Sequence, residues 1–91
     1  MIGLDARPTR ADRILAQRSA DTVVLLNPQN GQYYTLDAVG ARVWDLCDGS
    51  RRIADVVSVI HAEYDAPMDA IQGDVVDLLE ELARERLVAA P

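Results

Sequence analysis

The sequence predicts an α+β fold in which a three-stranded antiparallel sheet precedes three helices. Strand-type segments, rich in β-branched and aromatic residues, are confined to residues 13–36, whereas helical apolar periodicity fills residues 37–91. A chain of 91 residues, 49% of them apolar, is sized for one domain with one core. We therefore expect a single domain over residues 1–91. Residues 1–12 are polar and should be extended or flexible.

Three segments are predicted to form the sheet. Thr22–Leu26 is the strongest, because it is short, apolar and β-branched, whereas residues 14–17 form a weaker candidate. The loop Asn27–Gly31 contains a proline and an Asn-Gly pair, which suit a tight hairpin. Gln32–Leu36 follows with two tyrosines and a threonine, all strong strand formers. The simplest arrangement is a three-stranded antiparallel meander.

The first two helices are predicted from their ends and their apolar faces. Asp37 suits the N-cap of the first helix, and Gly49 suits the left-handed C′ position that ends it. Ser50 is expected to cap the second helix, whose apolar stripe runs over Ile53–Tyr64. The proline of residues 65–67 should end this second helix.

The third helix has the clearest start signal. Asp69 is followed three residues later by Gln72, the spacing of a capping box, and the helix should run to about Arg86. Leu87-Val88 is expected to make a last apolar contact. Three short helices beside a small sheet suggest a winged helix-turn-helix arrangement.

The charge is distributed unevenly along the chain. The formal net charge is −6, with nine arginines and no lysine. Residues 1–36 carry four Arg and three Asp, whereas residues 37–91 carry five Arg and twelve acids. Because an acidic half repels phosphate, nucleic acid is an unfavourable partner, and a basic or amphipathic peptide fits better.

Several features place the protein in the cytoplasm. Cys47 is the single cysteine, so an internal disulfide is impossible, and a small protein of this kind suits a reducing compartment. The first residues lack the apolar run of a signal peptide. No stretch approaches the length of a membrane span, so we expect no membrane partner.

The sequence offers no set of reactive groups that would form an active site. Cys47 and His61 are each single, and they favour core packing and a surface position, respectively, over catalysis or metal binding. The carboxylates of the third helix are typical of a solvated helix face. We expect no catalytic residue, no metal and no cofactor. Gly73, early in that helix, is either a tolerated surface position or a point of close approach by a second backbone.

The remaining candidate surface is the edge of the predicted sheet. The strand Gln32–Leu36 ends the meander, and it contains neither the proline nor the lysine that commonly protects an edge. An unprotected edge can accept an added strand, and pockets beside it would then select alternate side chains of that strand.

Four stretches give the sequence a family resemblance. Gly31–Gly40 and Val43–Gly49, with a Tyr-Tyr-x-Leu strand followed by Leu-Cys-Asp-Gly, resemble the PqqD-like family, as do Ile53–Val56 and Asp74–Leu82. The likeness covers about residues 13–88. The Gly-x-Tyr-Tyr hairpin is most similar to stand-alone leader-binding proteins of lasso-peptide pathways, and Asp37 stands where the family usually has Asn.

The resemblance implies a function and a site. Domains of this family bind the leader of ribosomally made, post-translationally modified peptides as an added strand, and deliver it to a maturation enzyme such as a leader protease or radical SAM enzyme. The leader would lie between the edge strand and the third helix. The expected peptide-binding residues are Gln32, Tyr33, Tyr34, Thr35 and Leu36 on the strand, and Gln72, Gly73, Asp74, Val75, Val76, Asp77 and Leu79 on the helix.

Two other functions stay open at this point. The fold would suit a winged-helix DNA-binding regulator, although the third helix carries six acids against Arg84 and Arg86. A small enzyme subunit with its active site at an interface is the third possibility.

Overall fold

The computed structural model describes residues 3–90. It contains two small sheets and three helices, in the order β1 (Thr9–Arg10), β2 (Leu15–Ser19), β3 (Thr22–Asn27), β4 (Gln32–Leu36), α1 (Ala38–Leu46), α2 (Ile53–Glu63), α3 (Met68–Arg84) and β5 (Val88–Ala89). The predicted fold class is confirmed, because a three-stranded antiparallel sheet precedes three helices. The strands β1 and β5, which pair with each other, were not predicted.

The main sheet is an antiparallel meander of β2, β3 and β4, in that spatial order. In the hairpin of β3 and β4, Val23 pairs with Leu36 and Leu25 with Tyr34, so these four side chains share one face. Val23 and Leu25 are fully buried, and Leu36 is nearly so. This face therefore lies against the helices, and β4 forms one edge of the sheet.

The helix α1 begins as predicted and ends slightly differently. The Asp37 Oδ1 atom accepts a hydrogen bond from the Gly40 N–H at 2.8 Å, which confirms Asp37 as the N-cap. The C-cap is Cys47, so Gly49 lies two residues beyond the cap, one position later than predicted. Gly49 still has the expected left-handed conformation, with φ +83°.

The predicted cap of α2 is wrong. Ser50 instead closes the turn after α1, since its N–H and hydroxyl both donate to Asp48 Oδ1, at 2.9 and 2.6 Å. The N-cap is Arg52, whose own N–H donates to the carboxylate of Asp55 at 3.0 Å. Ser50 bonds to the preceding acid because both groups lie within the same tight turn.

The predicted start of α3 is also displaced. The N-cap position is Pro67, and the helix begins at Met68, so Asp69 lies inside the first turn and does not cap the helix. Pro67 has φ −61°, close to its fixed ring value, and leads directly into the helix. The carboxylate of Asp69 still lies near the positive end of the helix dipole. The far end of α3, at Arg84, is two residues short of the prediction.

The N-terminal segment begins with a turn at Leu4-Asp5 and is hydrogen-bonded to the rest of the protein by its backbone. The carbonyl groups of Leu4 and Ala6 accept hydrogen bonds from the N–H groups of Ala54 and Ile53, at 3.0 and 2.9 Å. Further along, β1 pairs with β5. The segment therefore satisfies N–H groups in the first turn of α2, where the side chain of Arg52 makes no cap.

All three helices and the sheet share one core. Trp44 is 5% exposed, which confirms the prediction that its ring is buried. Cys47 is fully buried, as predicted, and burial raises the pKa of its thiol to about 12. Leu87 and Val88 are also buried, so the predicted last contact is confirmed. Within residues 3–90, no helix is both long and apolar enough to cross a membrane.

Candidate functional site

A cleft of about 770 Å³ separates β4 from α3. The end of β4 and the start of α1 form one wall, the first turns of α3 form the other, and the end of α2 lies between them. The lining residues are Thr22, Tyr34, Thr35, Leu36, Asp37, Val39, Gly40, Val43, Ile60, Tyr64, Asp65, Ala66, Ile71, Asp74, Val75 and Leu78.

The floor of the cleft is apolar and belongs to the core. Val43 is fully buried and Ile60 and Val75 are nearly so, although each lines the cleft. Val39 and Leu78 are half-buried and lie against this core. The cleft can therefore remove an apolar side chain from water without any rearrangement of the core.

One wall of the cleft is the unpaired edge of β4. Every residue of Gln32–Leu36 pairs with β3 on one side, and no strand within residues 3–90 pairs with the other side. The three residues of β4 that line the cleft are Tyr34, Thr35 and Leu36. An extended chain lying in the cleft would therefore meet backbone N–H and C=O groups along this edge.

The side chain of Tyr34 connects the two walls. Burial, a hydrogen bond with the Glu81 carboxylate of α3, and the negative charges of Glu81 and Glu85 raise the pKa of Tyr34 from 10.0 to about 12. The positive charge of Arg84 lowers the pKa of Tyr34, but by less than the other groups raise it. Tyr34 thus bounds the cleft at the end nearest the C-terminus of α3.

Three aspartates line the cleft, and their positions in the chain place them towards the end of β4 and the start of α3, away from the contact of Tyr34 with Glu81. Asp37 begins α1, Asp65 follows α2, and Asp74 lies on α3, and all three are exposed. The cleft lining contains no Arg, Lys or His among the residues that the structure describes. This end of the cleft is therefore negatively charged at neutral pH.

The structure brings together five of the twelve residues predicted to bind a peptide. Tyr34, Thr35, Leu36, Asp74 and Val75 all line the cleft. The other two strand residues, Gln32 and Tyr33, lie beside a small depression with Glu85 and Leu87.

The remaining predicted residues lie on other faces of α3. Leu79 is fully buried in the core, and Val76 is half-buried against it. Gln72, Gly73 and Asp77 are exposed and do not line the cleft. A side chain added at Gly73 would meet no atom within 4 Å, so no second backbone within residues 3–90 approaches this position.

Several lining residues were not among the predicted site residues. Leu78 could have been found, because it lies on the same face of α3 as Ile71 and Val75, at helical spacing. The contributions of α1 and α2, among them Val39, Val43 and Ile60, have no such signal in the sequence. These residues have the pattern of ordinary core positions, and the packing of three separate elements places them at the cleft floor.

Among residues 3–90, Cys47 and His61 lie in different environments. His61 is exposed on α2, whereas the thiol of Cys47 is buried and donates to the Val43 carbonyl at 3.1 Å. Across residues 3–90, no group of three or more His, Cys, Asp or Glu side chains is placed to hold a metal ion. The chemistry that the cleft supports is recognition, through an apolar floor, a strand edge and an acidic end.

Comparison with known proteins identifies the family. The family model described as Coenzyme PQQ synthesis protein D (PqqD) matches residues 22–88. The chain belongs to the PqqD family. The predicted resemblance to this family is confirmed.

Curated members of the PqqD family include proteins named PqqA binding protein. The protein from Xanthomonas axonopodis pv. citri (strain 306) is 35% identical over 86 residues, covering 92% of this chain and 91% of the relative. A protein of the same name from Xanthomonas euvesicatoria pv. vesicatoria (strain 85-10) is 33% identical over 76 residues, covering 84% of this chain and 80% of the relative.

A solved structure similar to this PqqD family member contains a peptide. It is described as TbiB1 in complex with the TbiA(beta) leader peptide. The two chains are 36% identical and superpose with a TM-score of 0.79, covering 88% of this chain and 93% of TbiB1. The agreement extends over both the sheet and the helices, so it includes the elements that form the cleft.

Proposed function

We propose that this protein is a non-catalytic adaptor, which binds the leader of a ribosomally synthesised precursor peptide and presents it to a separate maturation enzyme. The leader would add as a strand to the free edge of β4 and place apolar side chains in the cleft against α3. The observation that carries the proposal is the position of an unpaired strand edge along an apolar cleft.

The dimensions of the cleft favour an extended peptide. The five residues of β4 offer an edge of about 17 Å at the usual rise of a strand. Side chains of an added strand would alternate, so that every second one points to the cleft floor. Backbone hydrogen bonds would supply affinity, and the cleft would select the side chains.

The relatives support the same function. Curated PqqD family members are named for binding PqqA, and the similar structure of TbiB1 holds a leader peptide. Because the chain covers most of the length of each relative, the likeness includes whole domains. We therefore extend the peptide-binding role to this protein.

The adaptor role leaves the chemistry to a partner. The cleft presents carboxylates, two phenols and threonine hydroxyls, without a nucleophile-and-base pair of the kind that catalysis of peptide modification requires. We propose that the partner is an enzyme such as a leader protease or a radical SAM enzyme, and that both proteins work in the cytoplasm.

The charges of the helices weigh against a DNA-binding regulator. The acids of α3 and its C-cap, at Asp69, Asp74, Asp77, Glu80, Glu81 and Glu85, would repel the phosphates of a DNA groove. On the approach to α2, Arg51 and Arg52 are engaged by Asp48 and Asp55, at 3.1 and 3.0 Å. Neither helix therefore presents a cationic surface of the type that duplex binding needs.

Amide hydrogen exchange tests the proposal. We expect a leader peptide, taken from a precursor encoded beside the gene, to bind with a Kd of order nM to μM. Exchange should slow most in Gln32–Leu36, because an added strand protects the edge amides. The strand Leu15–Ser19, at the other edge of the sheet, serves as the internal control and should not change. Protection confined to α2 would contradict strand addition.

A further inference from the structure

We infer that the cleft selects peptides by charge and direction, favouring those with an Arg or Lys on the N-terminal side of the apolar side chain that fills the cleft. This inference rests on the proposed function and names the class of peptide that the site binds. It follows from the distribution of charge around the cleft and from the direction of β4.

The acidic end of the cleft has carboxylates without a protein partner. The side-chain carboxylates of Asp65 and Asp74 form no hydrogen bond or ion pair with any other residue that the structure describes. Asp37 uses one oxygen, Oδ1, to accept from the Gly40 N–H. Three carboxylates thus face one end of an apolar cleft, and two of them are unpaired.

The arginines that could neutralise these acids lie elsewhere. Four arginines form ion pairs with acids outside the cleft lining, and these pairs are Arg18–Asp45, Arg42–Glu63, Arg51–Asp48, Arg52–Asp5 and Arg52–Asp55. The arginines Arg7 and Arg10 donate instead to backbone carbonyls of Ser50, Trp44 and Asp45. None of the acids in these pairs lines the cleft, so none of these pairs neutralises a carboxylate of the cleft lining.

The two ends of the cleft differ in charge balance. At the far end, Glu81 is already engaged by the phenol of Tyr34, and the positive charge of Arg84 acts on the same phenol. At the acidic end, the cleft lining offers three carboxylates and no cation. A cationic side chain of a bound peptide therefore gains more at the acidic end.

The direction of the added strand follows from the sheet. Both strand pairs of the main sheet are antiparallel, and antiparallel pairing is slightly more stable per residue than parallel pairing. A peptide antiparallel to β4 runs in the direction of β3, whose Val23 pairs with Leu36 at the end of β4. Its N-terminal part would then lie beside Leu36 and the acidic end of the cleft.

The expected contribution of each pair is modest. All three aspartates are exposed, and an exposed ion pair changes an equilibrium constant by about fivefold at most. The effect should be larger at low ionic strength, because salt screens exposed charges. Charge would therefore favour some peptides over others and set their direction, whereas the apolar side chain that fills the cleft would supply most of the affinity.

A selection experiment tests the inference without knowledge of the leader. A displayed library of random peptides, with Gly-Ser on both sides, is selected on the wild-type protein and on the Asp65→Asn/Asp74→Asn variant. Circular dichroism establishes that the variant is folded. We expect Arg and Lys to be enriched on the N-terminal side of the apolar consensus with the wild type, and this enrichment to disappear with the variant.

A single synthetic peptide from the selection then gives affinities. Asp74→Asn should weaken its binding by about threefold to fivefold at low salt and less at high salt. Asp77→Asn is the matched control, because Asp77 lies on the same helix, is exposed and does not line the cleft. This control should bind like the wild type.

The outcomes separate this inference from the proposed function. Peptides that protect Gln32–Leu36 from exchange but carry no N-terminal basic residue would overturn the charge selection and leave the adaptor function intact. Enrichment on the C-terminal side would also overturn the inference, because it would indicate parallel addition. A selection that yields no peptide binding at β4 would refute both.

Discussion

The two edges of the main sheet differ in what lies beside them. The strand β2 forms one edge, and all five of its residues are exposed. The strand β4 forms the other edge, where Tyr34 is half-buried and Leu36 is 2% exposed. Both edges lack a further strand among the residues described, yet the apolar cleft adjoins β4.

This difference shows that a free edge is not sufficient to define a peptide site. Backbone groups on an edge accept any chain, so they provide affinity with little selectivity. At β4 the helices add an apolar floor and an acidic end, which distinguish one peptide from another. The following predictions test whether the helices or the edge itself create the site.

The largest effect on stability is expected from a substitution in the core that supports both edges of the main sheet. Trp44 is buried in α1, so Trp44→Ala should lower the free energy of unfolding by about 3–5 kcal/mol. Total stabilities of natural domains are about 5–15 kcal/mol, so the variant should lose a large fraction of its stability. Urea denaturation followed by circular dichroism measures the change. A stable variant that had merely lost peptide binding would show that Trp44 belongs to the interface.

A smaller effect is expected from the helical wall of the cleft. Leu78→Ala removes a half-buried side chain that lines the cleft, and should weaken peptide binding about tenfold while α3 is preserved. The matched control is Leu15→Ala on β2, where Leu15 is 57% exposed. Titration by fluorescence anisotropy compares the two variants. Equal losses of affinity would mean that the cleft does not distinguish the two edges.

The smallest effect on stability is expected from the contact between Tyr34 of β4 and Glu81 of α3. The pKa of Tyr34 is raised to about 12, above its ordinary value of 10.0. As the pH rises, the unfolded state therefore loses the phenol proton of Tyr34 before the folded state does. The contribution of Tyr34 to stability is complete below pH 10 and is lost as the pH rises towards 12. Tyr34→Phe should make stability less sensitive to pH in this range.

Urea denaturation at several alkaline pH values measures this difference. The raised pKa of the Cys47 thiol is common to both proteins, so the comparison isolates the phenol of Tyr34. Identical pH profiles for the variant and the wild type would show that neither burial nor the contact with Glu81 raises the pKa of Tyr34 in solution.

Local sequence patterns predicted most of the fold. The hairpin of β3 and β4, with its turn, and the order of the three helices follow from β-branched residues, Asn-Gly and apolar periodicity. The pairing of β1 with β5 was missed, because two-residue strands have no sequence period. The caps predicted at Ser50 and Asp69 were wrong. Ser50 donates to Asp48 in the turn after α1, and Pro67 occupies the N-cap position of α3.

The candidate site was predicted less completely than the fold. An edge strand can be inferred from the order of strands and its lack of protecting residues, which identified Tyr34, Thr35 and Leu36. Helical periodicity gave the buried face of α3, but a run of consecutive residues cannot all face one cleft, so Gly73 and Val76 lie elsewhere. The floor depends on tertiary packing of α1 against α2, which no local pattern reveals.

The N-terminal segment shows that the boundary of a sequence family need not be the boundary of a folding unit. The family match begins at residue 22, whereas the first turn of α2 depends on carbonyl groups of Leu4 and Ala6. Because these bonds use the backbone, the identities of the two side chains are free to change while the contacts persist. A chain shortened to the family match would leave those N–H groups of α2 to water and lose the partner strand of β5. Backbone contacts that complete the first turn of α2 and the small sheet of β1 and β5 therefore come from residues outside the family match.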